Sequence, residues 1–162
     1  MDFLNDLNIK HFLSFKINNF DYCIEIVEIK EIIEHIPITK VYHSLDYISG
    51  IINLRGQIYS IISLNSLFYQ SICNKSNNKI IILKDTIGNL VGFEIEDLND
   101  IFSINIENIE IYNESDFIEN NTINRKDFIT GVCKIDSKIY SIVNSHKIFE
   151  ITLSNSKANN KK

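Results

Sequence analysis

Long apolar runs are missing from this 162-residue chain. None approaches the ~20 residues a membrane-spanning helix needs, so no membrane insertion is expected. The opening, MDFLNDLNIKHF, lacks a positive n-region and a long apolar h-region, and no secretory signal is expected there. Dense basic patches are lacking too. Net charge is −5, and the one cationic run, KANNKK at 157–162, reads as a solvated tail, so nucleic acid is not an expected partner. Together these features predict a soluble, intracellular protein. Three cysteines, Cys23, Cys73 and Cys133, form no CxxC pair, and an odd count in such a compartment points to free thiols. Cys23 and Cys133 lie in apolar strand patterns, where cysteine packs as a small hydrophobe. Cys73 falls in a polar stretch and is expected to be exposed.

Signatures of catalysis are equally scarce. There is no Gly-rich phosphate loop, HExxH, GxSxG or Cys/His ligand spacing. His35 and His43 stand eight residues apart, while His11 and His146 stand alone. A buried Cys23 would need an improbable neighbour to act as a nucleophile. Neither an enzyme, a cofactor nor a metal site is expected. Tryptophan is absent and proline occurs once, whereas isoleucine makes up about a fifth of the chain. Ile, Asn and Lys share AT-rich codons, so that enrichment reads as genomic bias and carries no function.

What is present is a succession of short β-branched runs. Phe12–Ile17, the turn Asn18-Asn19 and Tyr22–Val27 read as a hairpin. Tyr22, Ile24 and Ile26 alternate with Cys23, Glu25 and Val27, the pattern of a half-buried strand. Ile29, Ile32, Ile33 and Ile36 then recur at mixed spacings that fit either a helical turn or a bulged strand. Ile48–Leu54 and Ile58–Ile62 flank Arg55-Gly56-Gln57 as a second hairpin, and 64–69 reads as a short helix capped by Ser63 or Asn65. The polar stretch 70–78 is the expected connection between two halves. Strands follow at 79–83, 90–95 and 98–106, then a polar excursion at 113–126. Strands at 128–135 and 138–143 and a short helix near 145–151 close the chain. Residues 1–154 read as one domain with subdomains at roughly 10–70 and 79–150, and disorder is expected over 155–162.

The halves repeat each other. SGIINLRGQIYSIISLNSLF (49–68) aligns without gaps on TGVCKIDSKIYSIVNSHKIF (130–149), an offset of 81 residues. A weaker match joins YCIEIVEIKEI (22–32) to VGFEIEDLNDI (91–101), an offset of 69. The second copy therefore carries about twelve extra residues, which fits the excursion. Two copies of a small all-β unit follow, each ending strand–turn–strand–helix. Units this small avoid exposed edges by closing into barrels and gain stability by sharing apolar surface.

The segment YISGIINLRGQIYSIISL (47–64) resembles the CheW domain of bacterial chemotaxis, above all in Ile52-Asn53-Leu54-Arg55-Gly56. The similarity extends over nearly the entire chain, from Phe12-Leu13-Ser14-Phe15 through 90–101 to 128–149. It implies an all-β fold of two intertwined, SH3-like five-stranded β-barrels sharing a core, with short helices. It also implies a non-enzymatic adaptor in receptor arrays at the cytoplasmic face of the membrane. The implied partners are the chemoreceptor cytoplasmic hairpin tip and the regulatory domain of the histidine kinase CheA. An alternative within the same fold is a structural array protein that links rings without activating the kinase. The sequence departs from the family at several prolines: only Pro37 remains before the glycine, and Ser60 replaces a common proline. Ser63 and Glu96 stand where aspartates are usual. Each lost proline relaxes the unfolded chain by ~0.4–1 kcal/mol.

The resemblance nominates Ile26, Ile29 and Ile32 for an apolar receptor groove, with Ile80 as a further member and Glu31 as the rim charge. Arg55, whose planar fork can hold a carboxylate, is expected to pair with Glu31 or with a receptor acid. Gly50, Asn53, Gly56 and Gly131 are expected at structural turns or close backbone approaches. The residue types alone would also allow core isoleucines and a solvated turn arginine.

Overall fold

The computed structural model describes residues 8–70, 79–84, 88–112 and 125–158. The strands are β1 (Ile9–Ile17), β2 (Phe20–Glu25), β3 (Ile29–Glu34), β4 (Ile48–Leu54), β5 (Gln57–Ser63), β6 (Lys79–Leu83), β7 (Val91–Ile95), β8 (Asp97–Asn105), β9 (Ile109–Ile111), β10 (Ile129–Ile135) and β11 (Lys138–Val143). Helices α1 (Leu64–Tyr69) and α2 (Ser145–Ala158) each follow a hairpin. Ser63 caps α1 by accepting from the Ser66 N–H.

Two-residue turns set the hairpin registers. Ile17 pairs with Phe20 across Asn18-Asn19, and both turn residues have positive φ, 50° and 66°. Leu54 pairs with Gln57 across Arg55-Gly56, again with both φ positive, 53° and 84°. Turns of this twist match the twist of the flanking strands, and asparagine and glycine reach that conformation at low cost.

The strands form two sheets, one in the order β8-β1-β2-β11-β10-β9 and the other β3-β6-β7-β5-β4. Neither sheet is a contiguous half of the chain. The hairpin β1–β2 leaves the first half to pair with β8 and, in parallel, with β11. In exchange, β6 and β7 leave the second half to pair with β3 and, in parallel, with β5. The subdomains at roughly 10–70 and 79–150 are therefore units of sequence repetition, and each lends two strands to the other's sheet.

The ladders carry the repeat in their registers. Ser60 pairs with Val91 and Ser141 with Tyr22, which reproduces both sequence offsets, 81 and 69, in one pair of contacts. Ile32 faces Ile81, and Ile101, the residue 69 further on, faces Leu13. Bulges fall at matching places, after Ile48 in β4 and after Ile129 in β10. A Cβ on Gly50 would lie 2.2 Å from the Thr39 carbonyl oxygen, and one on Gly131 would lie 2.2 Å from that of Glu110. At both positions the repeat keeps a bare backbone where another segment crosses. In the six-stranded sheet that crossing segment is β9. In the other it shrinks to the single bridge between Thr39 and Ile51.

Apolar residues divide accordingly into three clusters. Phe12, Cys23, Ile104, Cys133 and Ile142 fill the six-stranded barrel. Ile52, Tyr59, Ile61, Ile80 and Ile82 fill the five-stranded one. The largest cluster, including Phe15, Tyr22, Ile24, Ile81, Phe93, Phe128 and Ile148, lies between them and draws on both.

Three local expectations change. Strand β2 is not half-buried: Tyr22, Cys23 and Ile24 are consecutively buried, because one face lines a barrel and the other meets the shared cluster. It ends at Glu25, and Ile26–Glu28 make a 3-10 turn that carries the chain into the other sheet. Helix α2 runs to Ala158, four residues past the expected boundary at 154, since helical hydrogen bonding does not need an apolar face to extend one more turn. The expectations for Cys73 and for 71–78 and 113–124 lie outside the described residues, as does the tail over 159–162.

Candidate functional site

Strand β3 organises the candidate site. Ile29 pairs with Leu83 but Glu31 with Ile82, so Lys30 is an extra, bulged residue. The bulge flips the alternation and resolves the mixed spacing of the isoleucines. Ile29 and Ile32 both lie on the face opposite Leu83 and Ile81, residues of the shared cluster, whereas Ile33 turns toward the five-stranded barrel's interior. Ile26, on the 3-10 turn, is half-buried against the same shared cluster. Ile32 is exposed at 37%. The three form a partly exposed apolar ridge along the seam between the barrels.

Arg55 reaches β3 from the β4–β5 turn. Its Nη2 lies 3.0 Å from Glu31 Oε2 and its Nη1 3.3 Å from Oε1, so the guanidinium fork meets both carboxylate oxygens. The pair sits at the barrel mouth with Arg55 77% exposed, which limits its contribution to stability to about 0.2–1 kcal/mol. Its geometric effect is to tie the β4–β5 turn to β3 on the face that Glu31 shares with Ile33, opposite the face of Ile32. The turn itself is closed by the Gly56 N–H donating to Asn53 Oδ1 at 2.9 Å.

Ile80 does not join this surface. It is fully buried on the inner face of β6, among Ile52, Tyr59, Ile61 and Ile82, and no partner can touch it without opening the barrel. Period-2 alternation in so apolar a run (KIIIL) does not reveal which residues face inward, because both faces of β6 are covered.

Three residues were not singled out by sequence reasoning. Lys30 Nζ donates to Tyr59 Oη at 2.6 Å and lies 5.3 Å from the centre of that ring. Tyr59 Oη in turn donates to Gln57 Oε1 at 3.0 Å. This clamp joins β3 to β5 beside Arg55. The Tyr-Ser pair shared by the two copies was visible, but the lysine partner depends on the bulge.

Other polar groups cluster elsewhere. Glu94 accepts from Ser49 Oγ at 2.5 Å and lies 3.2 Å from His35 Nε2, in an open cleft of about 580 Å3. Burial pushes the Glu28 carboxyl above its ordinary range, opposed by a hydrogen bond with Ser145. Cys23 and Cys133 are buried and unlinked. Cys23 is pushed up by its hydrogen bond with Cys133 and by burial, which leaves it an inert thiol. Among the described residues no group of three or more His, Cys, Asp or Glu side chains is placed to hold a metal. No helix among the described residues is long and apolar enough to cross a membrane.

Two barrels that exchange strands around a shared apolar centre, carrying a ridge and an oriented ion pair on their surface, define an interaction scaffold. The model of the CheW-like domain matches residues 11–152, and the chain belongs to this family of non-enzymatic chemotaxis scaffold proteins. The chemotaxis protein CheW of Klebsiella aerogenes is 31% identical over 100 residues, covering 62% of this chain and 60% of that protein. A probable chemotaxis protein CheW of Rhizobium etli is 26% identical over 144 residues, 88% of this chain and 89% of its own length. The crystal structure of the scaffolding protein TtCheW from Thermoanaerobacter tengcongensis superposes with a TM-score of 0.70 at 28% identity, covering 83% of each chain.

Proposed function

We propose that this protein couples chemoreceptors to the histidine kinase CheA, in arrays at the cytoplasmic face of the membrane. The observation that carries the reading is the packing of Ile26 and Ile29 on the shared cluster, with exposed Ile32 following on the same face of β3 and the Arg55–Glu31 pair on the other face of this edge strand. A helical hairpin tip can lay its apolar face along such a ridge, while the oriented ion pair fixes its register. The regulatory domain of CheA, of like fold, would meet a barrel end. Contacts that are individually modest become strong when several are tethered in one array.

Titration of the purified chain against the CheA regulatory domain and, separately, against a receptor hairpin fragment tests this. Saturable binding to both is expected, with receptor-dependent stimulation of kinase activity on reconstitution. Assembly without stimulation would leave only a ring-linking role. Arg55→Ala is expected to weaken one partner by about tenfold while moving stability by no more than about 1 kcal/mol. Unchanged affinity for both partners would remove Arg55 from the site.

A further inference from the structure

Beside the ridge, the seam opens into a cleft of about 360 Å3 lined by Ile29, Lys30, Leu83, Lys84, Gly88 and Leu90. Backbone pairing fixes its walls. The Lys84 N–H donates to the Glu28 carbonyl at 2.8 Å, and Ile29 faces Leu83 across the β3–β6 ladder. The floor is apolar: Leu83 belongs to the shared cluster, Ile29 packs against it, and Leu90 packs on the core of the five-stranded barrel.

Both charged residues of the lining are lysines. Lys30 gives its hydrogen bonds to neutral oxygens, those of Tyr59 at 2.6 Å and Gln57 at 3.5 Å. Lys84 is exposed. Among the described residues no carboxylate lines the cleft and neither lysine is in an ion pair. Nearby Arg55, by contrast, is already met by Glu31. The cleft thus combines room for an apolar side chain with two positive charges that no carboxylate among the described residues meets.

We propose that this cleft takes an aliphatic side chain flanked by a carboxylate on a partner helix, and that Lys30 and Lys84 select acidic flanks over neutral or basic ones. The proposal rests on the receptor-coupling reading, since Ile29 belongs to both ridge and cleft. On a helix, an apolar residue and an acid three or four positions away share one face, so one turn can fill the floor and reach a lysine. A neutral flank would cover two ammonium groups without replacing the water they lose, which costs affinity.

The test is a titration of a cognate receptor's cytoplasmic hairpin fragment against the unaltered chain, Lys84→Ala, and the double variant Lys30→Ala/Lys84→Ala. Each is measured at low and high salt, with thermal unfolding as the folding control. Lys84→Ala is the critical variant because, unlike Lys30, that lysine makes no side-chain hydrogen bond or ion pair among the described residues. Binding is expected to weaken about two- to fivefold per lysine at low salt, and the double variant's salt dependence is expected to flatten. Variants that bind with unchanged affinity and unchanged salt dependence overturn the cleft proposal and leave receptor coupling standing. An unaltered chain that binds no receptor fragment overturns both.

Discussion

The two barrels are built on equivalent positions yet finished differently. Tyr59 and Tyr140 occupy the same place in the repeat, each paired across its hairpin with an inward residue, Ile52 or Cys133. Tyr59 is buried and receives a hydrogen bond from Lys30. Tyr140 is partly exposed, and its hydroxyl is pushed up by burial and by the negative charges of Asp21 and Asp100. The turn residues at matching positions are Arg55 and Asp136, both with φ of 53°. Ile32 and Ile101 are the matching exposed isoleucines, the latter at 65%. The copies thus keep exposed isoleucines in common, Ile58 and Ile139 as well as Ile32 and Ile101, and differ both inside, at Ile52 and Cys133, and at the turns, at Arg55 and Asp136.

If the barrels depend on one centre, emptying it should unfold both. Phe93→Ala is expected to cost about 3–5 kcal/mol and to leave a single unfolding transition, measured by denaturant titration with two probes. Two separated transitions would mean that the barrels are independent. Next in size, Gly50→Ala and Gly131→Ala should each cost about 1–3 kcal/mol, with Gly50 the worse because it also holds φ at 143°. A neutral effect at either glycine would break the equivalence of the crossings. Tyr59→Phe should cost about 1 kcal/mol through the lost lysine contact, whereas Tyr140→Phe should be close to neutral. Equal effects would show that the mouths are not differentiated.

The smallest expected effect is at the link between sheets. Glu28 has its folded pKa raised, mainly by burial. A raised carboxyl binds its proton more tightly in the folded state, so its penalty is absent below the unfolded pKa and grows as pH rises through the folded one. Glu28→Gln should therefore raise the thermal midpoint slightly at neutral pH and flatten the loss of stability above the ordinary carboxylate range. An unchanged pH profile would show that Glu28 is solvated.

Most strands, both hairpin turns and the repeat were legible in the sequence because each is written in local terms. Ser63 was one of two caps offered, β3 stood open between a helical turn and a bulged strand, and β9 was missed. Periodicity, turn residues with positive φ and a gapless match all lie within about twenty residues. The Arg55–Glu31 pairing was legible as one of two options. The inward fate of Ile80, the consecutive burial of Tyr22, Cys23 and Ile24 in β2 and the Lys30–Tyr59 clamp were not, because each depends on which strand lies alongside. Local pattern determined that the chain is two copies of a β unit. The family resemblance implied that the copies intertwine; only the tertiary structure decided which strands they trade. A strand's own alternation says which residues share a face, but not what covers that face, and here the cover comes from the other half of the chain.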